Sequence, residues 1–102
     1  MLEIATTDEP PGLRLDGEVD LASAEELSSA LEPHVRRGGD VTLDVARVRF
    51  MGSSGILVLV RALNSLEGRG RLVLLDPPEG IRRLIEITGL DRVEHLDVRN
   101  GT

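Results

Sequence analysis

The chain has 102 residues, which supports one hydrophobic core but not two, and its 40% hydrophobic and 29% charged residues are ordinary for a globular domain. The formal charge is −6, and all 12 basic residues are Arg, with no basic block, so neither nucleic acid nor an anionic membrane is expected as a partner. There is no Lys for a Schiff base or phosphate loop, no Cys for disulfide or thiolate chemistry, and Phe50 is the only aromatic residue for base stacking.

In chain order, residues 2–6 suit a short strand, broken by the turn Asp8-Glu9-Pro10-Pro11-Gly12. Leu13, Leu15, Gly17 and Val19 then alternate with Arg14, Asp16, Glu18 and Asp20, the pattern of a half-buried strand. Ser23 and Glu26 have capping-box spacing and predict a helix from about Ala24, with Leu27, Ala30, Leu31 and Val35 inward. Pro33 should kink or end that helix before Gly38-Gly39 closes the segment. Val41, Leu43 and Val45 predict another strand, which Val48 and Phe50 continue after a bend at Ala46-Arg47.

A second helix should follow Gly55 and reach about Glu67, before Gly68-Arg69-Gly70. The apolar run 72–75 predicts a strand covered on both sides. Pro77-Pro78 suits the start of a third helix, with Ile81, Leu84, Ile85 and Thr88 on one face until Gly89. Residues 93–98 suit a last strand and 99–102 a frayed tail. Helices between strands imply parallel crossovers, and the first two strands a hairpin. The expected fold is a single α/β domain over 1–102: a mixed, mostly parallel four- to five-stranded sheet with helices packed against it. Leu43, Val45, Leu59, Leu63, Val73 and Leu74 should be core.

The strand ending Val48-Arg49-Phe50-Met51 runs straight into Gly52-Ser53-Ser54-Gly55. That places two glycine-framed hydroxyls at a strand-to-helix junction, where the first N–H groups lack internal partners and negative charge is favoured. A serine there can cap the helix, bind an anion, or become one by phosphorylation.

On the following helix, Ile56, Leu59, Val60, Leu63 and Leu66 share the expected core arc. Leu57 shares its side with Arg61 and Asn64, and Val58 with Ser65, so both are apolar residues on an expected wet face. They suggest a partner surface beside the serines, or packing beneath a neighbouring helix. Asp16, Glu18 and Asp20 could meet a basic partner, but a solvated edge is the simpler reading.

Enzymatic readings are poorly served. The glycines at 52 and 55 do not fit a Gly-x-Ser-x-Gly elbow, and the two imidazoles, His34 and His95, fall on other elements. No metal-ligand spacing is present, so no metal, no cofactor and no catalytic residue is assigned. The first residues show no leader-peptide pattern and no run approaches membrane-spanning length, so a cytoplasmic location is expected.

Leu15-Asp16-Gly17-Glu18-Val19-Asp20, Phe50-Met51-Gly52-Ser53-Ser54-Gly55-Ile56 and Ile87-Thr88-Gly89-Leu90, with their spacing, resemble the bacterial anti-sigma-factor antagonists of the STAS domain family. The resemblance covers nearly the whole chain. It implies a non-enzymatic switch: the unphosphorylated protein binds an anti-sigma factor with serine kinase activity and frees a sigma factor. The kinase phosphorylates the first serine of an Asp-Ser-Ser-Gly motif, and a serine phosphatase resets it. That serine matches Ser53, with Ser54 less favoured, and Gly52, Ser53, Ser54, Gly55, Leu57 and Val58 form the expected partner-binding set. Gly52 departs from the family's usual Asp. The alternative is a STAS docking module of a signalling scaffold or transporter complex that never turns over phosphate.

Overall fold

The computed structural model describes residues 1–100. Strand β1 (Leu2–Asp8) and strand β2 (Pro11–Val19) are followed by helix α1 (Leu21–Arg37), strand β3 (Val41–Met51) and helix α2 (Ser53–Leu66). Strand β4 (Leu72–Leu75), helix α3 (Glu79–Thr88), a single 3-10 turn (Leu90–Arg92) and strand β5 (Leu96–Arg99) complete it. The five strands lie in chain order across one sheet. β1 and β2 pair antiparallel, and every later neighbour is parallel. This is the hairpin-plus-crossover arrangement that the order of elements requires.

The inward residues of β2, Leu13, Leu15 and Val19, join Leu43, Val45 and Leu74 in one core with Leu27 and Leu31 of α1 and Leu59, Leu63 and Leu66 of α2. Val73 is buried too, so the apolar run of β4 is covered as its pattern requires. α1 and α2 pack side by side, and α3 lies against β3. The core is almost wholly aliphatic, as a chain with one aromatic residue must make it.

Several local expectations give way to packing. α1 begins at Leu21, three residues early, because the capping box is Asp20 with Ser23. The Ser23 amide donates to Asp20 Oδ1 at 3.0 Å and the Asp20 amide to Ser23 Oγ at 3.0 Å. Pro33 does not end α1; it is exposed within the helix, which continues to Gly38 at φ 79°. Losing one hydrogen bond near the helix end is offset by the packing of Leu31 and Val35. The last strand is shorter than the 93–98 expectation, since Leu90–Arg92 turns as a 3-10 helix and Val93 caps it. Thr88 is exposed, its hydroxyl donating back to Leu84 O and Ile85 O. Of the expected tail, Arg99 belongs to β5, and residues 101–102 lie outside the described residues.

β3 departs most. Its pairing with β2 shifts register twice, between Arg14 and Asp16 and again between Gly17 and Glu18. Each shift puts an extra β3 residue into the ladder and turns the alternation over. Val48 and Met51 therefore point into the core, while Phe50, expected inside, is 53% exposed.

The junction that follows is held close by Gly55. A Cβ there would lie 2.7 Å from Val19 Cγ1 and 2.8 Å from Met51 Cγ, well inside contact distance. Gly55→Ala should therefore destabilise the protein by about 1–3 kcal/mol, the usual cost of overpacking, despite alanine's better helix propensity. Urea denaturation of the two proteins measures it. An unchanged midpoint would show that the junction has slack that its geometry denies.

Candidate functional site

β2 and β3 are adjacent parallel strands that end together, and a helix leaves each one. The Gly52 amide donates to Val19 O at 2.8 Å, tying the start of α2 to the end of β2. Gly52 is the N-cap of α2, with φ −83° and ψ −179°. Its carbonyl accepts from the amides of Gly55 at 3.0 Å and Ile56 at 3.1 Å, which closes the first turn.

The helix starts at Ser53, two residues before Gly55, so Ser53 and Ser54 are its first two residues and neither is the cap. No side chain caps α2, and neither serine hydroxyl has a hydrogen-bond partner among the described residues. Ser53 is exposed and Ser54 half-buried. Plain helix capping is thus not what these hydroxyls do. The amides of Ser53 and Ser54 also lack an intrahelical acceptor, so the hydroxyls sit at the positive end of the α2 dipole.

Gly52 does not require glycine's conformational freedom. Its φ is one any residue adopts, and a Cβ would rest in ordinary contact with Phe50, 3.4 Å from Cε2 and 3.5 Å from Cζ. What the missing Asp removes is an N-cap carboxylate, not a backbone shape.

The surroundings are apolar. The Phe50 ring lies over Gly52, and Leu57, one turn beyond Ser53, is 47% exposed. Leu21, the first residue of α1, is 84% exposed and lines a groove with Ser54 and Leu57. Of the two readings that the sequence left open, Val58 takes the second, packing beneath a neighbouring helix, and departs from the expected outward face. It is 5% exposed, buried where α1 packs on α2, and reaches the surface only as part of the floor of the groove between the two helices. α2 faces both the sheet and α1, so its buried arc includes Val58 and Ala62, while Ile56 and Val60 are only partly covered. Sequence reasoning missed Leu21 and Phe50 as surface residues. For Leu21 the signal was present: Asp20 is the better N-cap, which makes Leu21 a first-turn residue.

The row of acids on β2 is neutralised locally. Glu18 accepts from the Met1 amine at 2.9 Å and pairs with Arg49, and these contacts, the amine's first, hold its carboxyl below its ordinary value. Asp16 pairs with Arg47 and Arg49. Asp20 is likewise lowered, chiefly by the Ser23 amide it accepts from. β2 is an inner strand, so this is a solvated face and not an edge, with Asp16 and Glu18 held in ion pairs and Asp20 serving as the N-cap of α1. The imidazoles lie away from the serines: His95 Nε2 bonds to Leu63 O at 2.7 Å, and His34 sits in the last turn of α1, its pKa lowered by burial and then by Arg37. Among the described residues, no helix is long and apolar enough to cross a membrane.

A family model described as "Mlab, STAS domain" matches residues 2–98. The anti-sigma-B factor antagonist of Staphylococcus epidermidis is 33% identical over 98 residues, covering 94% of this chain and 91% of that protein. The crystal structure of an anti-sigma factor antagonist from Mycobacterium paratuberculosis superposes with a TM-score of 0.84 at 24% identity, covering 95% of this chain and 86% of that one. The Bacillus cell fate determinant SpoIIAA in its phosphorylated form superposes with a TM-score of 0.69 at 20% identity, over 100% of this chain and 92% of that one. The strand-to-helix serine junction, the five-stranded sheet and these likenesses agree: the chain belongs to the STAS domain family, among the bacterial anti-sigma-factor antagonists.

Proposed function

We propose that this chain is an anti-sigma-factor antagonist that docks its partner over the β3–α2 junction and is switched off by phosphorylation of Ser53. The observation that carries the reading is the state of that hydroxyl. It is exposed and unbonded at a helix N-terminus, beside the exposed apolar side chains of Phe50 and Leu57. The partner is an anti-sigma factor with serine kinase activity, in the cytoplasm, and a serine phosphatase restores the unmodified state. A relative at 33% identity carries the name anti-sigma-B factor antagonist, and a Bacillus protein of the same fold exists in a phosphorylated form.

The physics favours a switch with two different energies. In the free protein, a phosphate on Ser53 adds about −1.5 to −2 charge where free amides and the helix dipole accept it. In a complex, the same group must shed water inside an apolar contact, and losing about 1.4 kcal/mol weakens binding tenfold. Ser54 fits less well, being half-buried toward α1. A STAS docking module without phosphate turnover is the second reading. Gly52 favours it, because α2 lacks the family's carboxylate beside the serine.

Incubation with the cognate kinase and ATP, followed by mass spectrometry, should place one phosphate on Ser53 and none on Ser53→Ala. Ser53→Asp should stay folded, within about 1 kcal/mol of the parent, and bind the anti-sigma factor at least about tenfold more weakly. A phosphate on Ser54 would overturn the residue assignment, and none on either serine would leave the docking-module reading.

Gly52→Asp supplies the N-cap side chain that α2 lacks, at a backbone angle Asp adopts without strain. Replacing a glycine N-cap in this way should stabilise the fold by a few tenths of a kcal/mol, roughly. It should also speed phosphorylation of Ser53, by restoring the family's sequence around the acceptor. A kinase time course with both proteins decides, and an equal or slower rate would make the glycine a feature suited to this particular pair.

A further inference from the structure

Ser53, Leu57 and Arg61 follow one another at four-residue spacing, so they form one exposed row along α2. The row opens on a cleft between α1 and α2 whose floor includes Leu31, Val35, Val58 and Ala62. Arg61 stands at the mouth of that cleft and also lines the groove that holds Leu21, Ser54 and Leu57. The cleft is therefore continuous with the Ser53 surface.

Four arginine side chains, those of Arg37, Arg61, Arg83 and Arg92, have neither an ion pair nor a hydrogen bond among the described residues, and of these Arg61 alone lies on α2, in the row with Ser53 and Leu57. Arg36 is paired with Glu32, Arg49 with Asp16 and Glu18, and Arg71 and Arg99 with Asp97. Arg69 donates to the carbonyls of Ser65 and Arg36. Arg61 has no ion pair and no hydrogen bond among the described residues, although it is exposed beside Leu57. Across the groove, Glu25 of α1 lines the same surface without closing on it. One wall thus offers an unpaired cation and the other an unpaired carboxylate, over an apolar floor. Nor does Arg61 serve a phosphate on Ser53. Eight residues of helix separate them by about 12 Å along the axis, beyond the screening length of about 8 Å at physiological salt.

We infer that Arg61 reads a carboxylate on the anti-sigma factor seated over Ser53, and so sets which factor the chain accepts. This rests on the antagonist reading and extends it along α2. The partner element that fits carries an acid directed at the α2 wall beside an apolar side chain directed into the cleft. Such a charge contributes to specificity and to the rate of encounter, and it depends on salt.

The test uses the full chain and, as probes, each purified serine-kinase anti-sigma factor encoded in the source genome, with binding followed by titration calorimetry at low and high salt. The parent should bind one of them, and Ser53→Asp should weaken that complex. Arg61→Gln should then weaken it about tenfold and Arg61→Glu about a hundredfold, with unchanged melting temperatures. The salt dependence of the parent should be reduced in Arg61→Gln. If Arg61→Glu binds as tightly as the parent while Ser53→Asp does not, the inference falls and the antagonist reading stands. Equal, salt-independent losses in Arg61→Gln and Arg61→Glu would also overturn it, since the stem and not the charge would be in contact. A parent that binds none of these factors would overturn both.

Discussion

The backbone of Gly55 runs so close to Val19 and Met51 that even a methyl group would overlap them. That approach, with the Gly52 amide bonded to Val19 O, seats the first turn of α2 on the ends of β2 and β3. The consequences reach in both directions. Downstream, α2 is fixed with Leu59, Leu63 and Leu66 on the core and Val58 and Ala62 against α1. Upstream, the helix must begin at Ser53, so its first residues and their amides are presented at the end of the sheet. A looser junction would let α2 start later or tilt away, and the serine would lose its defined relation to Phe50 and Leu57.

A surface placed in this way suits control by charge, because the free and bound states value a phosphate differently. At an exposed helix N-terminus the modification is neutral to favourable by about 0.3–1 kcal/mol. Within an apolar contact the same group must be desolvated, and an unpaired charge there costs more than the helix end returns. The proposed switch therefore needs no conformational change. On that reading the fold keeps one shape, and only the affinity of one surface changes. The acids on β2 take no part in it, being already committed to Arg49, Arg47 and the Met1 amine.

The order of elements, the hairpin, the parallel crossovers and most of the core were legible because each rests on periodicity within a single element. Leu43, Val45, Leu59, Leu63, Val73 and Leu74 are all buried, as their spacing requires. What was not legible depends on a second element. The β3 irregularities exist only relative to β2, and they decide that Phe50 faces out and Met51 in. Val58 looked exposed because a helical wheel with one apolar arc assumes one neighbour, whereas α2 has two, the sheet and α1. The capping error on α1 was of another kind. Ser23 fits the N-cap and the N3 position alike, and only the bond from its amide to Asp20 distinguishes them.

Gly52 shows how a departure from a family pattern can be weighed by geometry. A glycine conserving an unusual backbone angle would resist replacement, but here φ is −83° and the space beside the α-carbon is open to contact with Phe50. The substitution is therefore electrostatic in effect. An Asp at the N-cap would occupy the free amides with its own carboxylate and place a negative charge next to any phosphate on Ser53. With glycine, those amides stay unclaimed and the repulsion is absent. On the proposed switch, the same residue that makes Ser53 a less familiar kinase substrate also makes its phosphate easier to hold, so the balance between modified and unmodified protein shifts on both sides of the cycle.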